Sequence, residues 1–339
     1  MSDTEVANAG RMTRDTGLTA VVPCYNESRQ VEVAYEGILG ALGEIGDLEI
    51  LFIDDGSADD TLERMRKLAS VDDRVRYLSF TRNFGLSAAI TAGFRYASRP
   101  WIVQLDADLQ FPPEQTWTLL AEAAKGFDVV FGIRRDRHDP WARRLGSTAH
   151  QWMARRLLGI ELPQGASSFR VLRTPVARTL AELPMTNSYF AAKVPLVTSR
   201  YTAVATAHRS RDAGGSRFRP VQLFGHAFEL FFGFSWRPLN AVYLLATAGF
   251  LAAVAVTLAG LFGTAGSTAV TLVALDVAAL ALVALALSAR YLHRLLLDSR
   301  PTRPYYIAEA NLPVRPEDTA DGGTPSVPPP TRPRSPAAD

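Results

Sequence analysis

The sequence contains very little cysteine, little net charge and no apolar leader segment. Cys24 is the only cysteine among 339 residues, so an intrachain disulfide is excluded and a reducing compartment is expected. The formal net charge of +2 is too small to indicate nucleic acid as a partner. Residues 1–17 (MSDTEVANAGRMTRDTG) lack an apolar core, which argues against a secretory signal peptide, and we expect residues 1–16 to be disordered.

Several motifs of common nucleotide enzymes and hydrolases are also absent. No GxGxxG follows the first apolar segment, which disfavours a dinucleotide oxidoreductase, and no GxxxxGK[ST] indicates a P-loop enzyme. No histidine pair has the spacing of a metal site, and no GxSxG nucleophile elbow occurs. Any nucleotide chemistry in this chain must therefore use other residues.

Apolar, strand-like segments alternate with helix-like segments along the first part of the chain. The pattern predicts an α/β fold in which a parallel sheet is covered by helices on both faces. The predicted strands are residues 18–24, 48–54, 75–80, 101–105 and 129–132, and the predicted helices are residues 28–45, 58–69, 86–97 and 112–125. Further along, residues 135–158 are helix-like, and residues 167–172 and 203–209 are strand-like.

Polar clusters follow three of the predicted strands. They are Tyr25-Asn26-Glu27, Asp54-Asp55-Gly56-Ser57 and Asp106-Ala107-Asp108. The carboxyl ends of parallel strands meet at one edge of a sheet, where α/β proteins bind their ligands. Helix capping explains one such cluster, but three converging clusters favour a binding site. An acid-rich edge suits a nucleotide base and ribose together with a metal-held diphosphate.

The segment VQLDADLQFPPE (103–114) places Asp106 and Asp108 where a strand ends, because the prolines prevent its continuation. In strand geometry the two acids point to the same side and repel each other. A divalent cation relieves that repulsion, since it takes oxygen ligands from carboxylates and shares them with phosphates. The alternative is that both acids are solvated loop residues, and the triplet alone does not decide between the two.

Arginine is concentrated in two parts of the chain. Seven arginines lie between residues 134 and 156, and a loop with two glycines, RDAGGSRF (211–218), carries two more. The first run fits a solvated helix face, and it also fits a face that binds an anion or a membrane surface, because arginine pairs well with phosphates.

A long uncharged region lies near the C-terminal end. Residues 239–262 and 268–290 are each long enough to cross a hydrocarbon core of about 30 Å as a helix. A buried helical hairpin of a soluble protein is the alternative, but soluble helices of this length normally show a polar face, and these segments do not. We therefore predict two transmembrane helices. Asp276, within the second one, is interpreted as a helix-packing or oligomer contact.

Charges and composition around these helices predict the orientation and the flanking segments. Arg237 precedes the first helix, four arginines (290, 294, 300 and 303) follow the second, and the turn between them is uncharged, so both ends should be cytoplasmic. Residues 219–238 are rich in aromatics, which fits a helix in the membrane interface or, equally, a core helix. Residues 313–339 are rich in proline and are predicted to be disordered.

Together these features resemble the family 2 glycosyltransferases that load sugars onto polyprenyl phosphates, which include the dolichyl-phosphate mannose synthases and bacterial undecaprenyl-phosphate glycosyltransferases. The resemblance rests on VVPCYNE (21–27), IDDGSADDT (53–61), TRNFGLSAAITAGFRYA (81–97), QLDADLQFPPE (104–114), RDAGGSRF (211–218) and RYLHRLLLDSRPTRPYYIAE (290–309). It implies a GT-A fold, Rossmann-like with a mostly parallel sheet, over residues 17–218. An interfacial segment (219–238), a two-helix transmembrane hairpin (239–291) and a cytoplasmic juxtamembrane segment (292–312) would follow.

The resemblance also implies roles for individual residues. Mg²⁺ or Mn²⁺ would be held by Asp106 and Asp108, which with Arg211 are the candidate catalytic residues. The nucleotide sugar would be bound by Pro23, Tyr25, Glu27, Asp54, Asp55, Asp106 and Gln110. The acceptor phosphate would be bound by Arg134, Arg137, Arg211, Ser216 and Arg217. The implied partners are a nucleotide-sugar donor, a UDP-sugar being favoured, a polyprenyl phosphate acceptor and the membrane. The implied reaction inverts the sugar, and the implied location is the inner (plasma) membrane, with several spans and a cytoplasmic catalytic domain.

One segment departs from the family pattern. Many members carry an aspartate in a GDFRL segment, whereas this chain has GASSFRVL (165–172), with Ser168 at the position of that aspartate. Arg170 is retained, and a structural role for it is as consistent with the sequence as phosphate binding. The sequence leaves two alternative functions open. One is a membrane-anchored polysaccharide synthase, although two membrane spans are too few to form a glycan channel alone. The other is a non-catalytic membrane protein that binds a nucleotide sugar. Retention of the acids at the strand ends argues against the non-catalytic protein.

Overall fold

The structure is a computed structural model that describes residues 17–134, 166–183, 190–207, 237–262, 266–299 and 304–319. Some of the predictions lie outside these residues and are not addressed by the structure. They concern residues 1–16, the helix at 135–158 with Arg137, the loop at 211–218 with Arg211, Ser216 and Arg217, most of the segment 219–238, and the tail beyond residue 319.

The described strands form one eight-stranded sheet, in the order β7-β5-β6-β4-β1-β2-β3-β8. The strands are β1 (Leu18–Cys24), β2 (Leu48–Asp54), β3 (Val75–Phe80), β4 (Trp101–Gln104), β5 (Val129–Arg134), β6 (Ala166–Arg173), β7 (Tyr201–Thr206) and β8 (Ile307–Ala310). Strands β4, β1, β2 and β3 run parallel, as do β5 and β7, whereas β6 and β8 run antiparallel to their neighbours. The predicted α/β fold with a mostly parallel sheet is therefore confirmed.

Helices cover both faces of the sheet and form a separate pair near the C-terminal end. They are α1 (Ser28–Leu42), α2 (Thr61–Val71), α3 (Leu86–Tyr96), α4 (Thr116–Ala123), α5 (Thr174–Glu182), α6 (Phe190–Val197), α7 (Arg237–Leu261) and α8 (Ser267–Ser299). Helices α1, α2 and α4 contribute to the core on one face, and α3, α5 and α6 contribute to the core on the other.

Sequence spacing explains how the helices pack on the sheet. Helix α1 buries Val31, Ala34, Ile38 and Leu42, which recur every three or four residues and so share one face. A Cβ atom at Gly93 would lie 2.2 Å from the side chain of Val21, so only glycine lets α3 approach β1 this closely. This packing fixes α3 with its N-terminal end at the carboxyl edge of the strands.

The segment after α8 differs from the prediction. We predicted a juxtamembrane segment up to residue 312 and disorder from residue 313. Instead, residues 304–319, which we call the C-terminal strap, return to the sheet and add β8 beside β3. Tyr305 is fully buried and stacks on Phe80 with ring centroids 4.9 Å apart, and the buried Asp318 pairs with Arg95. Tyr305 and Ile307 are two positions apart, so in an extended chain their side chains point to the same side. Both are buried where the strap pairs with β3.

Helices α7 and α8 pack against each other as a hairpin. The Tyr243 and Ser288 hydroxyl groups lie 3.1 Å apart, and Gly249 faces Leu280. Among the described residues, Val242–Gly260 is the one helical segment long and apolar enough to cross a membrane, with a mean hydropathy of 2.1. The apolar part of α8, Val273–Ala289, is shorter. The predicted helical hairpin is thus present, and by length and composition one of its two helices qualifies as a membrane span.

Candidate active site

The strand ends on the carboxyl side of the sheet surround a cavity of about 370 Å³. It lies beyond the ends of β1, β2 and β4 and next to the start of α3. Most of the residues predicted to bind the nucleotide sugar or the metal line this one cavity: Pro23, Tyr25, Glu27, Asp55, Asp106, Asp108 and Gln110. The structure therefore brings together side chains that are more than 80 positions apart in the sequence.

The loop after β1 is tied to the loop after β2 by side chains of both. The backbone N–H of Asn26 donates to Ser57 Oγ at 2.9 Å, and Asn26 Oδ1 accepts from the N–H of Ala58 at 2.9 Å. The N–H of Glu27 donates to Thr61 Oγ1 at 3.0 Å. These bonds hold Tyr25, whose side chain is 47% exposed, at the cavity with a ring available for stacking.

The two adjacent acids at the end of β2 take different roles. Asp55 is buried at the cavity wall, and its carboxylate accepts hydrogen bonds from the N–H groups of Phe84 at 2.7 Å and Gly85 at 2.9 Å. Burial raises the pKa of Asp55, and these two hydrogen bonds act in the opposite direction. Asp55 thereby holds the loop after β3 in place.

Asp54 was also predicted to bind the nucleotide sugar, but it is not among the residues that line this cavity. Its carboxylate is buried, where it accepts hydrogen bonds from Ser79 Oγ at 2.7 Å and from the N–H of Ser57 at 3.0 Å. Consecutive strand residues point to opposite faces, so only one of two neighbouring acids can face the ligand. Asp54 stabilises the pairing of β2 with β3.

The loop after β3 and the first turn of α3 supply cavity residues to which the sequence analysis assigned no role. Asn83, Gly85, Leu86 and Ala89 line the cavity, and Gly85 has a φ of +94° where the chain turns into α3. The sequence signal for them is the segment TRNFGLSAA (81–89), which follows the third predicted strand directly. The N-terminal end of α3 carries partial positive charge, which favours an anionic ligand beside it.

Asp106 and Asp108 are both held by hydrogen bonds at the cavity. Asp106 Oδ2 accepts from Ser168 Oγ at 2.7 Å, and Asp108 Oδ2 accepts from Gln110 Nε2 at 2.6 Å. Leu109, which follows Asp108, has a φ of +47°. Its N–H donates to the carbonyl oxygen of Asp106 at 3.0 Å, which closes a turn. The turn brings the two carboxylates to the same cavity.

The donor set fits a hard divalent cation such as Mg²⁺ or Mn²⁺, because carboxylate oxygens are the ligands that such ions prefer. Within the part of the chain that the structure describes, no group of three or more His, Cys, Asp or Glu side chains could hold a metal ion. A diphosphate and water would offer such a cation oxygen ligands in addition to those of Asp106 and Asp108.

The arginines predicted to bind the acceptor phosphate are only partly covered by the structure. Arg134 is the last residue of β5, at the same sheet edge as the cavity. Arg170, for which two roles were open, is structural: it is buried, donates through Nε and Nη2 to Gln104 Oε1 at 2.9 and 2.6 Å, and lies over the Phe190 ring at 4.5 Å.

Comparisons with known proteins identify the family of this chain. Residues 19–177 match the family described as Glycosyl transferase family 2. The chain is 31% identical over 230 residues to the undecaprenyl-phosphate 4-deoxy-4-formamido-L-arabinose transferase of Salmonella enteritidis PT4 (strain P125109), which covers 67% of this chain and 70% of that protein. It is 28% identical over 307 residues to the uncharacterized glycosyltransferase YkcC of Bacillus subtilis (strain 168), which covers 88% of this chain and 95% of that protein.

Among solved structures, the glucosyl-3-phosphoglycerate synthase of Mycobacterium tuberculosis in complex with Mn²⁺, UDP-glucose and phosphoglyceric acid aligns with a TM-score of 0.49 at 18% identity, covering 68% of this chain and 83% of that one. The family match and the Salmonella relative carry the assignment. This chain belongs to glycosyltransferase family 2, and it is a glycosyltransferase.

Proposed function

We propose that this enzyme transfers a sugar from a UDP-sugar to a polyprenyl phosphate, of the undecaprenyl type, at the cytoplasmic face of the membrane. The observation that carries the proposal is one acid-lined cavity at the carboxyl edge of the sheet in a chain that continues into an apolar helical hairpin. The relative at 31% identity, whose name describes an undecaprenyl-phosphate sugar transferase, supports the same acceptor.

The donor nucleotide would occupy the cavity between the loops after β1 and β3. Tyr25 offers an exposed ring for the base, and Glu27 offers carboxylate oxygens for hydroxyl groups of the ribose. Asp55 contributes by holding Phe84 and Gly85, whose loop forms the opposite wall. The α3 N-terminal end lies where a diphosphate would benefit from its partial positive charge.

Asp106 and Asp108 would hold a divalent cation against the diphosphate of the donor. When bound, such a cation neutralises the negative charge that develops on the leaving nucleoside diphosphate. The protein's own contribution is to hold the two carboxylates in fixed orientations through Ser168 and Gln110. These bonds reduce the reorganisation needed when the charge develops.

The acceptor needs no protein base in this reaction. A phosphate monoester has a second pKa of about 6, so a polyprenyl phosphate is mostly a dianion at pH 7. One of its oxygens forms a bond to the anomeric carbon while the bond from that carbon to the diphosphate oxygen breaks, and the nucleoside diphosphate leaves with the electron pair. A single displacement of this kind inverts the anomeric centre. Arginine is the residue type suited to orient the acceptor phosphate, and Arg134, Arg137, Arg211 and Arg217 are our candidates, with Ser216 as a hydrogen-bond donor.

The helical hairpin would bring the catalytic domain to its lipid substrate. We propose that α7 and α8 both cross the membrane. The arginines near the start of α7 and near the end of α8 would then lie on the cytoplasmic side. Only residues 300–303 separate the end of α8 from the C-terminal strap, which is part of the catalytic sheet. Anchoring raises the local concentration of a membrane-bound acceptor at the site.

A transfer assay on membranes that contain this protein tests the proposal. Undecaprenyl phosphate and Mg²⁺ or Mn²⁺ are supplied with labelled UDP-glucose, UDP-N-acetylglucosamine or GDP-mannose, and the label is followed into the organic phase. We expect lipid-soluble label from a UDP-sugar, and none from the Asp106→Asn, Asp108→Asn double variant. Equal label from wild type and double variant would refute the proposed role of the acids, and label from GDP-mannose alone would refute the UDP assignment.

A further inference from the structure

The hydroxyl of Ser168 in β6 reaches a carboxylate of the proposed metal site just beyond the end of the neighbouring strand, β4. Ser168 Oγ donates to Asp106 Oδ2 at 2.7 Å, although the two residues are 62 positions apart in the sequence. Ser168 lies in β6, which pairs antiparallel with β4, and Gln104 lies opposite Arg170 in that register. Continuing that register two residues beyond the end of β4 places Asp106 opposite Ser168, and the hydrogen bond joins these two facing positions.

An irregularity in the pairing of β5 with β6 lies beside Ser168. The register of β5 against β6 shifts between Phe131 and Ile133, as a β-bulge does. Ser167 closes this irregularity, because its Oγ donates to the carbonyl oxygen of Gly132 at 2.7 Å and accepts from the N–H of Phe169 at 3.2 Å. The two neighbouring serines thus have different partners: Ser167 bonds backbone, and Ser168 bonds the carboxylate.

Strand β6 also supports the other end of the acidic turn. Phe169 stacks on Phe111 with ring centroids 5.2 Å apart and an angle of 17° between the rings. Residues 106–111 are therefore fixed at their first residue by Ser168 and at their last by Phe169. A metal-binding carboxylate that is already held in this way needs little reorganisation when it binds a cation.

We propose that Ser168 is a positioning residue for the metal-binding carboxylate of Asp106. This inference rests on the proposed function, because it assumes that Asp106 binds a divalent cation. The hydroxyl bond fixes the rotation of the carboxylate about its Cβ–Cγ bond and so orients both oxygens relative to the cavity. A carboxylate at position 168 would instead repel Asp106 and compete for the cation.

Binding of Mn²⁺ by the purified full-length protein in detergent tests this inference, with free Mn²⁺ measured by electron paramagnetic resonance in the presence of UDP or, separately, GDP. We expect Ser168→Ala to raise the Kd of Mn²⁺ by about 10–100-fold, the usual effect of losing a hydrogen bond to a ligand. Ser168→Thr keeps the hydroxyl and should restore most of the affinity. In the transfer assay, the Ser168→Ala defect should shrink at saturating Mn²⁺, which general structural damage would not do.

Ser167→Ala is the matched control, since it removes the neighbouring hydroxyl but leaves the Ser168 bond. We expect its Kd for Mn²⁺ to stay near the wild-type value. Wild-type Mn²⁺ affinity in Ser168→Ala would overturn the inference while leaving the metal site intact. An equal loss in both alanine variants would assign the effect to the bulge and also overturn it. Absence of Mn²⁺ binding by the wild-type protein with either nucleotide would instead overturn the metal step of the proposed function, and this inference with it.

Discussion

Asp55 accepts a hydrogen bond from the backbone N–H of Gly85 at 2.9 Å, which joins the end of β2 to the start of α3. The same carboxylate accepts from the N–H of Phe84 at 2.7 Å. One buried acid therefore connects two of the loops that border the cavity. Asp55 should therefore affect function mainly by fixing the shape of the proposed nucleotide site.

Replacing Asp55 with Asn should weaken nucleotide binding. The amide can accept through only one of its two ends, so a backbone N–H of the loop would face an NH₂ group and lose its partner. An unsatisfied buried donor costs about 1–3 kcal/mol, and we expect the Kd for UDP to rise by about 10-fold or more. Isothermal titration calorimetry of Asp55→Asn against the exposed Glu114→Gln control measures this. Unchanged affinity would show that the loop is held without Asp55.

Replacing Gly56 with Ala should destabilise the protein. Gly56 has a φ of +65°, and a Cβ there would lie 2.3 Å from the backbone carbonyl carbon of Arg82. We expect a loss of at least about 1 kcal/mol, because both the backbone conformation and the contact are unfavourable. Gly40, in α1, is the matched control: nothing lies within 4 Å of its Cβ position, and Gly40→Ala should stabilise the helix by about 0.5–1 kcal/mol. Thermal unfolding of the two variants should therefore shift in opposite directions, and a shared direction would contradict this prediction.

The C-terminal strap should contribute to stability through Tyr305. Its ring is fully buried against Phe80. We expect Tyr305→Ala to lower the free energy of unfolding by about 3–5 kcal/mol, the usual cost of removing a buried aromatic side chain. The neighbouring Tyr306 is 37% exposed, so Tyr306→Ala should have a much smaller effect. Thermal unfolding of both variants in detergent measures the difference. Equal midpoints would mean that the strap does not stabilise the sheet.

Glu309 should give the strap a pH-dependent contribution to stability. The hydrogen bond from Arg66, at 2.7 Å between Nε and Oε1, is the main cause that lowers the pKa of Glu309. A lowered pKa means that the ionised form stabilises the fold above the unfolded-state pKa of about 4.3, and that this stabilisation is lost as the pH falls through the folded-state pKa. Because Arg66 is 47% exposed, we expect only about 0.5–1 kcal/mol from this pair at pH 7.

Glu309→Gln therefore should lower the thermal unfolding midpoint at pH 7, and the difference from wild type should shrink as the pH is lowered below 5. Glu317→Gln provides the control, since its contact with Arg315 is long, at 3.9 Å, and exposed. A difference between Glu309→Gln and wild type that stayed constant down to pH 3 would contradict the assigned role of the charge.

The alternation of strands and helices could be predicted because it is a local pattern. Helix α1 was predicted to end at residue 45 and ends at Leu42, and α2 was predicted from residue 58 and begins at Thr61. Strand β8 could not be predicted, because its four residues, IAEA, carry little periodicity and its partner β3 lies more than 200 positions away. Long-range pairing of short segments leaves almost no local signal.

The candidate site shows the same division. Glu27, Asp106 and Asp108 were predictable because each follows an apolar strand closely. Asp54 could not be separated from Asp55 without knowing which one faces the cavity. The contact of Ser168 with Asp106 depends on the pairing register of β4 with β6, which lie far apart in the sequence, and that register is not visible in the sequence.

In the proposed reaction, the phosphate of a polyprenyl lipid accepts the sugar. The most direct test reconstitutes the purified full-length chain into liposomes with Mn²⁺, a labelled UDP-sugar and either undecaprenyl phosphate or undecaprenol, and identifies the lipid product by mass spectrometry. We predict a glycosyl phosphate lipid from undecaprenyl phosphate, no product from undecaprenol, and no product from the Asp106→Asn, Asp108→Asn variant. Transfer to undecaprenol at the same rate, or an active protein that glycosylates only a saccharide, would contradict the claim.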